Sequence, residues 1–158
     1  MRIMVFTEGT LLMHKNALGK QRREITKQVK NNKQSVHEYS SYIPIGNATS
    51  KLKKWKSLGH EIIYLTSRTK PDEIIDIRNV LKRHDFPEGE LLFRKEGEEY
   101  RDVAERVIPD ILIEDDCESI GGINKTTFIN IKSQIKKKIK SILVKEFSGI
   151  DTIPDKIS

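Results

Sequence analysis

Three short polar clusters, each placed directly after a run of β-forming apolar residues, constrain the architecture of this chain more than any other feature. They are Thr7-Glu8-Gly9-Thr10 after Arg2-Ile3-Met4-Val5-Phe6, Thr66-Ser67-Arg68 after Glu61-Ile62-Ile63-Tyr64-Leu65, and Glu114-Asp115-Asp116 after Asp110-Ile111-Leu112-Ile113. In an open parallel α/β sheet, the loops at the carboxyl ends of the strands converge on one crevice, so clusters far apart in sequence can build a single site.

The segments between the clusters fit that architecture. Residues 2 to 6 read as a short, continuously apolar buried strand, and Gly9 supplies a turn. Residues 16 to 30 form a basic helix pattern anchored by Leu18, Ile25 and Val29, and 31 to 46 carries turn chemistry throughout, as a small lid or insertion would. Ala48, Leu52, Trp55 and Leu58 recur at helical spacing before Gly59, predicting a helix over about 47 to 58 that feeds the strand at 61 to 65. Pro71 in a first turn, with Asp72 and Glu73 at the positive helix end and Ile74, Ile77, Val80 and Leu81 along one face, predicts a helix ending near His84.

Farther on, the pattern predicts strands at 91 to 93, 110 to 113 and 126 to 131, with helices at 98 to 107 and 133 to 147. Strands alternating with helices imply right-handed βαβ units and a mostly parallel sheet in a three-layer, Rossmann-like α/β domain. That domain is expected to occupy residues 1 to 148, with 149 to 158 as a C-terminal tail. At 158 residues the chain suits one core and not two.

No apolar run approaches the ~20 residues that span a bilayer, and Met1 leads straight into a strand without a signal-peptide pattern, so a cytoplasmic protein without a membrane partner is expected. A single cysteine, Cys117, excludes an internal disulfide and a multi-cysteine zinc site, and a small buried residue is the plainer reading of it than a reactive thiol. The net charge of +6 is divided unevenly: both ends are basic, while residues 71 to 122 are acidic. A basic excess favours anionic partners such as phosphate esters and nucleic acids without choosing between them.

The order of the clusters resembles the haloacid dehalogenase (HAD) superfamily of phosphotransferases. Its members have a strand ending in Asp-x-Asp-Gly-Thr, a second ending in Thr or Ser, a lysine before a later helix, and an acidic pair after a fourth strand. The matching stretches are Phe6-Thr7-Glu8-Gly9-Thr10-Leu11, Leu65-Thr66-Ser67-Arg68, Lys95 and Ile113-Glu114-Asp115-Asp116, within residues 2 to 122. Within the superfamily, Tyr64 to Arg68, Ile77 to Leu81 and Phe86 to Lys95 resemble the phosphatase half of polynucleotide kinase.

The resemblance implies a HAD-like fold and a phosphatase-type hydrolase that uses Mg²⁺ on a phosphate-bearing small molecule or nucleotide. In that chemistry an aspartate attacks phosphorus, a second carboxylate two residues on handles the leaving-group proton, and a hydroxyl and a lysine hold the phosphoryl oxygens. With Gly9-Thr10 fixing the register, Glu8 stands at the acid/base position and Phe6 at the nucleophile position. Phenylalanine cannot attack phosphorus, so the aspartyl-phosphate route is closed in this register. Glu8, one methylene longer than aspartate, is expected to reach the metal or to act as a general base for direct water attack.

Carried over position by position, the resemblance puts Glu8, Thr66 and Lys95 in catalytic roles, with Arg94 or Arg101 as substitutes for the lysine. It puts Thr10, Ser67 and Arg68 against substrate, and Glu8, Asp115 and Asp116 at Mg²⁺, whose preference for hard oxygen ligands the acidic pair suits. Plainer readings stand beside each assignment: an acidic turn capping the next helix, a Ser/Thr turn opening the helix at Pro71, and a solvated lysine. Histidines 14, 37, 60 and 84 share no ligand spacing and read as surface residues. Lys136, Lys137, Lys138 and Lys140 read as the solvated face of the last helix, with no interleaved aromatic residues for base stacking.

Two alternatives follow. Phe6 suits a catalytically inactive HAD-like binding or regulatory module, and the basic charge suits a protein associated with nucleic-acid end repair, although sequence-specific nucleic-acid binding is not expected.

Overall fold

The computed structural model describes residues 1–158, and its organisation follows from the first strand, β1 (Arg2–Phe6), which lies at the centre of the main sheet. The chain leaves β1 through the first polar cluster, forms the short β2 (Leu12–Met13), and enters α1 (Arg22–Lys30), β3 (Ile43–Pro44) and α2 (Ala48–Ser57). Then come β4 (Glu61–Leu65), α3 (Pro71–Arg83), β5 (Glu90–Leu92), α4 (Tyr100–Val107), β6 (Ile111–Asp115), α5 (Thr127–Asn130), α6 (Ser133–Lys136) and β7 (Lys140–Val144). No helix is long and apolar enough to cross a membrane.

The five long-range strands order as β5-β4-β1-β6-β7, and every neighbouring pair is parallel. The chain therefore builds outward from β1 to one side, then returns to build on the other. That reversal opens a crevice at the carboxyl ends of the strands beside β1.

Alternation along the strands divides the core into two layers, as the two-residue period of a pleated strand requires. Ile3 and Val5 of β1, Ile62 and Tyr64 of β4, and Ile111 and Ile113 of β6 face the larger cluster, packed by Leu52 and Trp55 of α2 and Ile77 and Val80 of α3. Met4, Phe6, Ile63, Leu65 and Leu112 face the smaller one, closed by Val103 and Ala104 of α4 and by Ile131 and Ile139. Both faces of the central strands are buried, which is why they read as continuous apolar runs.

Several elements differ from the sequence expectation. The helix anticipated from residue 16 begins at Arg22, after a 3₁₀ turn at Lys15–Ala17. Segment 31–46 contains two 3₁₀ turns and β3, which pairs antiparallel with β2 beside the main sheet. Residues 126–131, expected as a strand, are a single helical turn, because the Thr127 and Phe128 N–H groups donate to the Glu114 carboxylate at 2.7 and 2.8 Å and fold the backbone there. The helix expected over 133–147 stops at Lys136, and Lys140–Val144 extends as β7 to complete the ladder of β6. The tail carries core residues, with Ile150, Ile153 and Ile157 buried in the larger cluster. His14, expected at the surface, is buried and hydrogen-bonded to Gln28 at 2.8 Å.

Candidate functional site

The loop after β1 is a tight turn: the Leu11 and Leu12 N–H groups both donate to the Thr7 carbonyl, at 2.8 and 2.9 Å, and buried Thr7 and Thr10 fill its interior. Gly9 adopts φ +82° with its α-carbon so close to the acidic cluster that a Cβ there would meet Asp115 Oδ2 at 2.8 Å. Glycine is therefore required both by conformation and by space. Phe6 and Glu8 line one cleft of about 270 Å³. Phe6 rests edge-on against Tyr100, ring centroids 5.2 Å apart, so position 6 presents an apolar wall to the cleft.

Glu8 turns towards the loop after β4. Its Oε1 accepts the Thr66 hydroxyl at 2.5 Å, and its Oε2 accepts the Thr7 hydroxyl at 2.6 Å and the Ser67 N–H and hydroxyl at 3.0 and 3.2 Å. The carboxylate is satisfied entirely by uncharged donors, and no ion pair engages it.

Three other carboxylates gather on the opposite side of the β1 loop. Asp115, Asp116 and Glu146 bring one oxygen each within 4.8 Å of one another. Asp115 ends β6, where the Thr10 hydroxyl and the Cys117 N–H both donate to it at 2.9 Å. Cys117 takes a left-handed backbone (φ 53°), which turns its N–H back onto Asp115. Glu146 follows β7 and accepts the Ser119 N–H and hydroxyl, while its own N–H donates to Asp116 Oδ1 at 3.1 Å.

Burial pushes the Asp115 carboxyl up from 3.8 to about 6, with Asp116 and Glu114 adding to the rise, and burial likewise raises Glu146. Crowded, dehydrated carboxylates are costly without a cation. A set of hard oxygens in this arrangement fits Mg²⁺ or a similar divalent ion. The donors that flank the triad are fixed by backbone geometry at Gly9 and Cys117, so its crowding is built into the fold.

Glu114 is turned away from this group, and its carboxylate caps α5. Burial raises the Cys117 thiol far above its ordinary value, so it is not a thiolate nucleophile.

The cleft also has cationic lining from Arg68, Arg94 and Lys125. Arg68 stacks over Tyr39 at 4.4 Å and Arg94 over Tyr100 at 4.2 Å. Each of these arginines has a buried Nε with no hydrogen-bond partner. Lys95, expected as the phosphate clamp, is exposed and outside the cleft lining, and its backbone N–H is tied to Glu98. Arg101 is paired with Glu99.

The structure thus brings together Glu8, Thr10, Thr66, Ser67, Arg68, Asp115 and Asp116 at the carboxyl edge of the sheet. Glu8 stands on the β4 side and outside the carboxylate triad. Glu146 and Lys125 were not singled out from the sequence. For Glu146 a signal existed, since it follows the apolar run Ile142-Leu143-Val144 as the other clusters follow theirs, but the helical reading of that run concealed it.

No protein-family model matches the chain, and no curated protein matches it in sequence. Solved structures do resemble it. The class C acid phosphatase from Bacillus anthracis superposes with a TM-score of 0.59 at 15% identity, over 94% of this chain and 67% of that one. Its tungstate-bound form gives 0.58 at 14% identity over 94% and 68%. The Pnkp1/Rnl/Hen1 RNA repair complex gives 0.55 at 13% identity, covering 91% of this chain and 43% of that one. The mostly parallel α/β fold is therefore one shared with phosphatases of known structure.

Proposed function

We propose that this protein is a divalent-cation-dependent phosphoric monoester hydrolase that works without a covalent phosphoenzyme. One observation carries the reading. A single cleft is lined by Asp115 and Glu146 of the carboxylate triad, by Glu8 and Ser67, behind which Thr66 is hydrogen-bonded to Glu8, and by the stacked arginines Arg68 and Arg94.

In this reading the triad holds Mg²⁺, which when bound supplies positive charge against the phosphoryl oxygens. The Thr66 hydroxyl and the Ser67 N–H and hydroxyl donate to those oxygens, and Arg94, held in place by Tyr100, provides the cationic clamp expected of Lys95. Phe6 offers no nucleophile, so water attacks phosphorus, the ester P–O bond breaks, and the departing alkoxide takes a proton from solvent water to leave as the alcohol. Glu8, whose carboxylate gives up these donors to the phosphoryl group, takes the proton from the attacking water. The substrate is a phosphate-bearing small molecule or nucleotide.

The test is Mg²⁺-dependent release of phosphate from aryl phosphates, nucleotides and 3′-phosphorylated oligonucleotides, with Asp116→Asn protein as control. Release that the substitution abolishes, with no acid-trappable phosphoprotein during turnover, is expected; a trapped phosphoprotein would exclude water as the nucleophile. A second reading is favoured by Phe6 itself: a phosphate-binding module that retains the fold and the cation without turnover. Binding of phosphate without release from any substrate would select it.

A further inference from the structure

We propose that Glu8 is the resident occupant of an oxyanion cradle and that phosphate-bearing ligands enter by displacing its carboxylate. The proposal rests on the phosphate-site reading above and adds to it how the site is kept closed. The Thr66 hydroxyl and the Ser67 N–H and hydroxyl converge from one loop on the same pair of oxygens, at 2.5, 3.0 and 3.2 Å. A carboxylate and a phosphoryl group ask for the same donors, because both present negatively charged oxygens in a fixed, narrow arrangement. With Glu8 in place, those donors are spent.

Two further observations place positive charge that Glu8 does not engage beside the cradle. Neither Arg68 nor Arg94 is paired with Glu8; both line the cleft and carry a buried Nε without a partner. Arg68 instead donates to the Tyr39 hydroxyl and, at 3.2 Å, to Ser67 Oγ, so it stands one atom behind the cradle. An incoming phosphate ester would satisfy the cradle and reach a guanidinium at once. It would also repel the Glu8 carboxylate, which rides on a side chain with three rotatable bonds.

The length of that side chain is decisive. Aspartate at position 8, shorter by one C–C bond (~1.5 Å), would fall short of Thr66 and Ser67. Displacement of an internal occupant reduces apparent affinity by the fraction of molecules in which the cradle is open. A Glu8-filled population of roughly 90 to 99% weakens binding by about 10- to 100-fold.

The experiment is calorimetric titration of inorganic phosphate, in the presence of Mg²⁺, into wild-type protein and the Glu8→Ala and Glu8→Asp variants, each first checked for a cooperative thermal melt. Both variants are expected to bind phosphate at least 10-fold more tightly than wild type, and Thr66→Val in the Glu8→Ala background is expected to remove the gain. Should Glu8→Ala not fold, the conservative Glu8→Asp substitution carries the comparison. Equal or weaker binding by the variants, with phosphate still bound by wild type, would overturn the occupancy of the cradle and leave the phosphate site standing. Absence of binding by all of the folded proteins would overturn the site and its occupant together.

Discussion

Asp115 joins three demands at one carboxyl group: it ends a buried strand, accepts from Thr10 and Cys117, and faces two neighbouring acids. Because burial raises its folded-state value from 3.8 to about 6, the folded chain retains a proton that the unfolded chain has already lost across that interval. The metal-free protein therefore loses stability as pH rises from about 4 to about 6, and the cost is fully present above that window. Asp115→Asn is expected to stabilise the metal-free protein by about 1–3 kcal/mol at pH 7.5, with no gain near pH 4, read from urea unfolding with chelator present. A gain that persists at pH 4 would assign the effect to something other than ionisation. The cationic wall gives a second contrast between neighbours in sequence. Arg94→Ala is expected to lower turnover or phosphate affinity by about 10-fold or more, the scale of a charge-assisted hydrogen bond, while Lys95→Ala changes either by less than about 2-fold, since its side chain stands in solvent outside the cleft. Equal losses in steady-state kinetics would contradict the placement of the two residues. What the sequence could not convey at this scale was direction: the residue types at Glu8 and Lys95 were legible, but which way each points depends on loop contacts between segments dozens of residues apart.

Among the elements, those with local punctuation were legible. β1 and β4 are apolar runs stopped by polar turns, and α3 opens on Pro71 with Asp72 and Glu73 in its first turn, so periodicity and capping agree. The C-terminal third lacked such agreement. Ile135, Ile139, Ile142 and Leu143 lie at helical spacing, yet Lys140–Val144 becomes a strand because β6 offers an unpaired edge and the β-branched and aliphatic run can fill it. Over five residues the two periods overlap, and tertiary pairing decides. The segment after Gly149, read as a short C-terminal tail, is tied into the fold. Asp151 accepts the Asn47 N–H at the start of α2 at 3.0 Å, Lys51 of α2 donates to the Ile153 carbonyl at 2.7 Å, and Ile150 is fully buried. Ile150→Ala is expected to cost about 2–4 kcal/mol, seen as a fall of roughly 5–15 °C in Tm. A melt within about 2 °C of wild type would show that the segment does not belong to the core.

At the scale of the molecule, the carboxylate triad ties together parts of the chain that the sheet places side by side but the sequence holds far apart. Asp115 ends β6 and Asp116 follows it, Glu146 follows β7, and Gly9 of the β1 loop packs against them, with its carbonyl accepting the Phe147 N–H at 2.8 Å. In the unfolded chain Glu146 lies 30 residues from Asp116 and the three carboxylates form no site, so a cation that binds the folded triad stabilises the whole domain by mass action. At about 100 times its dissociation constant, Mg²⁺ would contribute about 2.7 kcal/mol, or roughly 5–10 °C in Tm for a domain of this size. The rise is expected to saturate with Mg²⁺ and to be lost in Asp116→Asn, a substitution that keeps an oxygen able to accept the Glu146 N–H and removes only the charge. Sodium chloride at matched ionic strength separates this effect from screening, which acts on all exposed charges alike. A rise of equal size in the variant, or one reproduced by sodium chloride, would place the stabilisation on the basic surface of the chain and not in the triad.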